Sequence, residues 1–524
     1  MSRNTRTVSK VLLALMLVVV FQTSAIACTN ILVGKDATTD GSVITSHTVD
    51  GRYDSRILIY PAEDHEPGTM VPIYDNIVYG DRTQLIELGQ IPQVEHTYKY
   101  FHGGYPYANE HSVIIAESTI VGNRATTNSI EAIMTIEQLQ ELGLQRAKTA
   151  REAIEIIGEL AVTYGFRESC WLGECLTISD PNEVWVFEVF GVGPFWTKDS
   201  GEPGAVWAAQ RVPDDHIACV PNFSRIAEID INDTDHFMAC DNYIDTAIQL
   251  ELYDPASDDP FVWRQVYGPF SINSRLWRVY STLQPSGNWG FENLEELIDY
   301  PFSIKPDEKV SVEQVISLFR DVFDGAGAPF DMTDNEIWYY NDRDGNPVLS
   351  PLANPQPSTD VRTLFGMKNQ PTIAVTHCSY YWVSQARSWL PNDIGGVVWI
   401  GLDNPHKGVF IPMRVGTERV PESWTVVDRD RYDRSCSYWA FDTVDRVSSQ
   451  NYGRLMPMVA EVRDSLQNDM FAFHDAIDKV ALELWEQDPH LARDFVTDYT
   501  YNMMLRSEQE YYDLADRLLH ALPH

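Results

Sequence analysis

The stretch Ala25-Ile26-Ala27-Cys28-Thr29-Asn30-Ile31-Leu32-Val33-Gly34 joins two kinds of sequence. Before it, Arg3, Arg6 and Lys10 precede an apolar run of eleven residues from Val11 to Phe21, and Ala25 and Ala27 occupy the small-x-small positions of an export cleavage site. Eleven apolar residues are too few to span a bilayer. After it, Asn30 to Gly34 has the composition of a strand. Residues 1–27 are therefore read as a signal peptide, and the mature protein as secreted or periplasmic. The folded chain is then expected to start at Cys28, with its first strand following at once.

Cleavage there leaves about 497 residues, more than a single domain usually contains and enough to bury a large core. It also removes three positive charges and no acidic ones, which takes the formal charge from −37 to −40. Such a polyanion repels nucleic acid and anionic lipid. No other segment approaches a membrane span, so stable membrane insertion is not expected. A homo-oligomer is left open. Seven cysteines in an exported chain leave one thiol over, and Cys28 is the odd one. Cys170, Cys175, Cys219, Cys240, Cys378 and Cys436 have the number for three disulfides, in any of fifteen connectivities.

Along the chain, Asn30–Gly34 and Ser42–Ser46 read as a hairpin around the Asp40-Gly41 turn, with Asp50-Gly51 closing the second strand. Strands follow at 56–60 and 112–119, and then helices at 136–144 and 147–164. The second helix carries Ala150, Ala153, Ile154, Ile157 and Ala161 as an apolar stripe. A second hairpin pairs 176–180 with 183–189, strands are expected at 205–210, at 372–375 and at 397–400, and 216–224 reads as a strand end or loop. Residues 310–323 form a helix, and from 455 to the end the pattern is helical with a break at Asp488-Pro489. Strands, then helices, then strands again point to an α+β fold of packed layers rather than a doubly wound parallel sheet. The run Asn341-Asp342-Arg343-Asp344-Gly345-Asn346 resembles part of a calcium loop but lacks the later acidic ligand, so a plain turn is expected. No metal and no cofactor are expected.

An N-terminal cysteine carries a nucleophile and a base on one residue. Its thiol and α-amine have neighbouring ordinary pKa values, about 8.5 and about 7.7–8.0, so the amine can take the thiol proton directly or through one water. Nucleophilic catalysis then needs no separate histidine, and the oxyanion formed on attack of an amide needs preorganised donors. Two other roles for Cys28 stay open on the residues alone: the lipidated cysteine of an anchored binding protein, and a disulfide partner. Ala25 and Ile26 stand in the reverse of the order that lipidation favours.

Cys28-Thr29-Asn30-Ile31-Leu32-Val33-Gly34-Lys35, followed by Asp40-Gly41-Ser42-Val43-Ile44 and Ser46-His47-Thr48-Val49-Asp50-Gly51, resembles the start of the dipeptidase-A-type cysteine peptidases, relatives of the secernins among the N-terminal nucleophile hydrolases. Asn109-Glu110, Glu117-Ser118-Thr119, Val220 to Ile226, Ser274 to Arg278, Arg387 to Pro391 and Gly395 to Trp399 continue the resemblance over nearly the whole mature chain. It implies a four-layer αββα sandwich over 28–450, with insertions and a packed helical segment at 451–524. It implies hydrolysis of dipeptides through a Cys28 thioester, without metal. A more distant resemblance, to bile-salt hydrolases and penicillin V acylases, implies Asp50, Asn222 and Arg275 as further catalytic residues. In that group His47 stands where an arginine is usual and Thr119 where an asparagine is usual; both are expected to bind substrate. The competing enzymatic reading keeps the fold and takes an N-acyl amide as substrate. A dipeptidase has to recognise a free α-amine beside the scissile bond, so it is expected to place an extra carboxylate in its pocket.

Overall fold

The computed structural model describes residues 28–522 except 76, 80–82, 84, 168–170, 269–272, 291–299 and 328. The signal peptide expected over 1–27 lies outside the described residues, as does Cys170. Among them, no helix is long and apolar enough to cross a membrane.

The fold is mixed α+β, built on antiparallel sheets. The largest has eight strands in the order Phe237–Ala239, Val206–Arg211, Val184–Phe190, Leu172–Ser179, Ile114–Val121, Pro106–Asn109, Tyr100–His102 and Leu58–Tyr60. Its central strands, Leu172–Ser179 and Val184–Phe190, form the hairpin read from the sequence, and nearly every residue in them is buried. Burial of both faces follows from what covers them. On one side lie the helices Ile136–Arg146 and Ala150–Tyr164. The second buries the predicted stripe of Ala150, Ala153, Ile154, Ile157 and Ala161. Gly158 lets it approach closely, since a Cβ there would sit 2.4 Å from the Trp207 ring. Thr135 and Thr149 cap the two helices by accepting from the N–H groups of Gln138 and Glu152.

A second sheet runs Ser46–Asp50, Cys378–Ala386, Gly396–Leu402, Ile411–Arg414. A third runs Asn30–Val33, Ile217–Val220, Ser303–Ile304. The N-terminal hairpin joins these two: Val33 and Ile44 exchange backbone hydrogen bonds of 2.9 and 3.0 Å, and the Thr48 N–H donates to the Thr29 carbonyl at 3.2 Å. The joined sheets meet the large one through Thr177, whose hydroxyl lies 2.7 Å from that of Thr45 and 3.4 Å from the Asn30 amide nitrogen. The helices Tyr438–Ser449, Tyr452–Trp485 and Pro489–Ala521 pack on the strands Gly396–Leu402 and Ile411–Arg414. The expected break between the last two is there, with Asp488 capping the His490 N–H ahead of a first-turn proline.

Several expectations need correction. The second strand of the N-terminal hairpin is Ser46–Asp50, with only isolated bridges at Val43 and Ile44, because Ser42 is held in the turn by Asp40. No strand forms at 372–375; it forms at Cys378–Ala386, where all nine residues are buried and the polar ones hide a central strand. The helix Tyr438–Ser449 has no counterpart in the reading above. Asn341 to Asn346 is a hairpin turn in which Asp342 accepts from the N–H groups of Asp344 and Asn346. Finally, the disulfide expectation fails for every described cysteine: Cys28, Cys175, Cys219, Cys240, Cys378 and Cys436 are free, buried thiols. The Cys240 sulfur accepts from the Trp207 N–H, while Cys378 and Cys436 donate to backbone carbonyls.

Candidate active site

Cys28 lies at the edge of the joined sheets, just ahead of the strand Asn30–Val33, and is only 1% exposed. The chain around it is tied down residue by residue. Thr29 donates its N–H to the Thr48 hydroxyl at 2.9 Å, and Ile31 donates to the Ser46 hydroxyl at 2.8 Å. Arg275 comes from the second position of the helix Ser274–Leu283, which is set by the Asn273 side chain accepting from the N–H groups of Arg275 and Leu276. One arm of its buried guanidinium donates to the Cys28 carbonyl at 2.7 Å and to the Thr29 hydroxyl at 2.9 Å. The other donates to the Pro221 carbonyl at 2.8 Å and to the Asn222 amide oxygen at 2.9 Å. Asn222 itself holds a left-handed φ of 68°, a conformation asparagine tolerates better than most side chains. Its amide nitrogen donates to the Thr119 carbonyl at 2.9 Å and the Ser118 hydroxyl at 3.3 Å. Cys28, Asn222, Arg275 and Thr119, distant in sequence, thus form one connected cluster.

The chain matches peptidase family C69 over residues 27–465. It is 22% identical to a probable dipeptidase B of Streptococcus pyogenes serotype M1 over 497 residues, covering 90% of this chain and 89% of that protein. It is 23% identical to a probable dipeptidase of Latilactobacillus sakei, covering 82% of each. It is also 23% identical to a probable dipeptidase of Salmonella dublin, covering 75% of this chain and 81% of that one. The chain belongs to peptidase family C69. The family resemblance read from the sequence therefore holds, and the protein is a cysteine-type peptide hydrolase.

The electrostatics of this C69 site are dominated by burial. The Cys28 thiol is pushed well above its ordinary range by desolvation, and further by the carboxyls of Glu117 and Asp50; the Asp50 backbone N–H and Arg275 work against this. It is therefore a thiol and not a thiolate as it stands. Asp50 ends the strand Ser46–Asp50 and is fully buried. Desolvation raises its pKa to about 8, against the lowering effects of Arg275, the Cys378 thiol and the Thr48 hydroxyl. His47, on the same strand, is held neutral because burial drops its pKa to about 3. It packs between Tyr105 and Trp382 at ring distances of 5.8 and 5.9 Å. A neutral imidazole of that kind is a poor proton acceptor for a thiol, so His47 is not the base.

One residue of the site was not singled out from the sequence. Glu117 lies in the strand Ile114–Val121, is fully buried, and brings one carboxylate oxygen to within 4.8 Å of the Cys28 sulfur and a His47 ring nitrogen. The signal was present: Glu117 is the single charge in the run Ser112 to Thr119, which otherwise reads as a buried strand. Thr119 acts on this residue, donating its hydroxyl to Glu117 at 3.1 Å. Cys28, His47 and Glu117 together offer sulfur, nitrogen and oxygen donors that suit a thiophilic ion such as zinc, and such an ion would occupy the nucleophile. A separate cavity of about 460 Å³, bounded by Arg278, Arg320, His406 and Arg463, has none of Cys28, His47, Asp50 or Glu117 in its wall.

Proposed function

We propose that the chain is an exported dipeptidase that becomes active when the bond before Cys28 is cut. The observation that carries this reading is the Arg275 clamp on the Cys28 carbonyl and Thr29 hydroxyl, which fixes the residue that cleavage makes N-terminal. The export pattern of Arg3, Lys10, Val11–Phe21 and Ala25-x-Ala27 supports release outside the cytoplasm, and the family match begins at residue 27, beside the proposed cut. The names of the related probable dipeptidases support dipeptides as substrates. Helices on the outer side of each main sheet support a four-layer αββα sandwich of the N-terminal nucleophile type over 28–450, with 451–524 packed on it.

The chemistry follows from what the thiol lacks. With its pKa pushed up by burial and His47 neutral, Cys28 needs a base that is absent until cleavage. The new α-amine supplies it, at an ordinary pKa of about 7.7–8.0. It takes the thiol proton as the sulfur bonds to the scissile carbonyl carbon. The resulting oxyanion meets the Asn222 amide, which turns one N–H away from Ser118, the longer of its two bonds. The Cys28 ammonium returns the proton to the leaving amine, and a water activated by the same α-amine hydrolyses the thioester. Asp50 steadies the ammonium, and Arg275 balances the carboxylate that results.

The decisive experiment is the intact mass and first residue of the exported protein, with activity on alanyl-alanine compared with a glycine-conjugated acyl substrate. A chain starting at an unmodified Cys28 and hydrolysing the dipeptide is expected. Acyl mass on Cys28 would instead mark a lipid-anchored protein, and turnover of the acyl conjugate alone would mark an acylase. Cys28→Ser keeps the cleavage site and is expected to lower kcat/KM by at least about 10⁴-fold, as loss of a nucleophile does in comparable hydrolases.

A further inference from the structure

Glu117 is buried beside the nucleophile with only part of its bonding capacity used. Its Oε1 accepts from the Thr119 hydroxyl at 3.1 Å. Its Oε2 has no hydrogen bond among the described residues, although the side chain is fully buried. A buried carboxylate oxygen left without a hydrogen bond is costly, and more so if the group is charged. The nearest basic atom is His47 Nε2 at 3.8 Å, too long for a hydrogen bond and on a ring that stays neutral. Both ring nitrogens of His47 also lack hydrogen bonds among the described residues. The arginine of the site is directed elsewhere, to Cys28, Thr29, Pro221 and Asn222. A buried carboxyl oxygen with unused acceptor capacity, beside a neutral imidazole and the neighbouring carboxyl of Glu174, therefore faces the nucleophile.

We infer that Glu117 is the subsite that takes the free α-ammonium group of the substrate, so that the enzyme acts on amides whose carbonyl carbon is one atom from an amine. This inference rests on the dipeptidase reading of the site. The geometry fits. A carbonyl carbon poised for attack lies about 3–3.5 Å from the sulfur. Its α-nitrogen is about 2.5 Å further along, from two ordinary bonds and the angle between them. A charge-assisted N–H···O bond adds about 2.8 Å. A bent path of these lengths closes easily on a carboxylate oxygen that lies within 4.8 Å of the sulfur. An apolar acyl chain in the same place would bury the carboxylate without a partner, which disfavours N-acyl substrates. Thr119 becomes a positioning residue, since it holds the other carboxylate oxygen. The Cys28 amine is left to Asp50, whose Oδ1 has no hydrogen bond among the described residues.

The test uses the exported chain carrying Cys28→Ala, so that binding is read without turnover. Alanyl-alanine is compared by calorimetry with propionyl-alanine, the same molecule without its α-amine. The dipeptide is expected to bind about 10- to 100-fold more tightly, the range of one hydrogen bond to a charged group. Glu117→Gln in the same background is expected to bring the ratio close to one through loss of dipeptide binding alone. Glu117→Asp, which keeps the charge on a shorter arm, is expected to retain part of the preference and guards against a folding defect in the first variant. An unchanged ratio, or equal loss for both ligands, overturns the subsite. Failure of the dipeptidase reading appears separately: Cys28 enzyme with no turnover of alanyl-alanine, even where the binding preference is intact.

Discussion

Two buried arginine clusters in this protein are balanced in opposite ways. Beneath the C-terminal helices, Arg387 and Arg414 both bind the single carboxylate of Asp478, with His474 Nε2 3.5 Å from it. Burial raises the Asp478 pKa, but Arg414 and Arg387 outweigh it and hold the group below the ordinary carboxylate range. Two cations there serve one anion. At the active site Arg275 stands near Asp50, Glu117 faces the neutral His47, and both carboxyls have raised pKa values. The first cluster is complete and ties the helix Tyr452–Trp485 to the sheet. The second is short of positive charge. A deficit of that kind is tolerated where a mobile cation completes it, and the proposed chemistry brings two: the Cys28 ammonium and the substrate ammonium.

The comparison is broken most strongly by removing its anions. Asp478→Asn strips the carboxylate from two buried guanidiniums, and loss of one member of a buried ionic cluster costs about 3–5 kcal/mol. A clear fall in the midpoint of urea unfolding is expected, with kcat per folded molecule unchanged. Glu117→Gln is expected to act in the other direction. Its folded carboxyl takes up its proton near pH 7 against an ordinary 4.5, so the folded state holds more protons than the unfolded one between those values. Stability is therefore lost as pH rises through that window, and the glutamine variant escapes the loss. It should be the more stable protein at pH 8 and show no advantage at pH 4. If Asp478→Asn is neutral, or Glu117→Gln destabilises at pH 8, the contrast between the clusters is wrong.

Asp50→Asn is the next effect in size. If Asp50 holds the Cys28 ammonium, the variant loses orientation of the base and about 10²-fold in kcat, the scale of a positioned acid–base partner. KM for alanyl-alanine is expected to stay within about threefold, since the substrate amine belongs to Glu117. A rise in KM of the same size as the fall in kcat would assign the substrate amine to Asp50 and exchange the two carboxylates.

The outline of these clusters was partly legible in the chain. Cys28 stands out by its place at the cleavage site and Asp50, Asn222 and Arg275 through the family resemblance, and the structure brings them together through contacts that sequence spacing cannot express. The helical stripe on Ala150–Tyr164 is legible for the same reason it is stable: the spacing of its apolar residues records its own burial. Cys378–Ala386 was missed because a strand buried on both faces, with Ser379, Ser384 and Gln385 inside it, has no periodicity to read. Glu117 does not stand out as a site residue in the sequence because its meaning comes from His47, seventy residues away and so about 230 Å along a fully extended chain, but 3.8 Å away in space. At His47 the chain departs from the arginine usual in its more distant relatives. Beside Glu117 that departure has a physical sense, because an arginine at that point would neutralise the carboxylate that the substrate has to find.

The smallest effect sharpens that last point. Glu117 accepts an ammonium as a carboxylate and loses that capacity when protonated. Burial raises its pKa to about 7, opposed by Glu174 and Thr119. KM for alanyl-alanine is therefore expected to rise as pH falls below about 7, by up to tenfold per unit, as for any ligand that needs one deprotonated group. Other groups facing the site titrate too. Asp50 does so near pH 8 and Glu137 near pH 7, while His47 stays neutral down to about pH 3 and the Cys28 thiol and Tyr105 ionise only well above their ordinary ranges. The Glu117→Gln enzyme separates them, because it keeps all of these and lacks only the carboxylate. Its KM should be high and flat from pH 5.5 to 7.5, whereas the unmodified enzyme approaches that value only at the acid end. If the variant keeps the acid rise in KM, the titrating group is Glu137 or Asp50, and Glu117 is not where the amine binds.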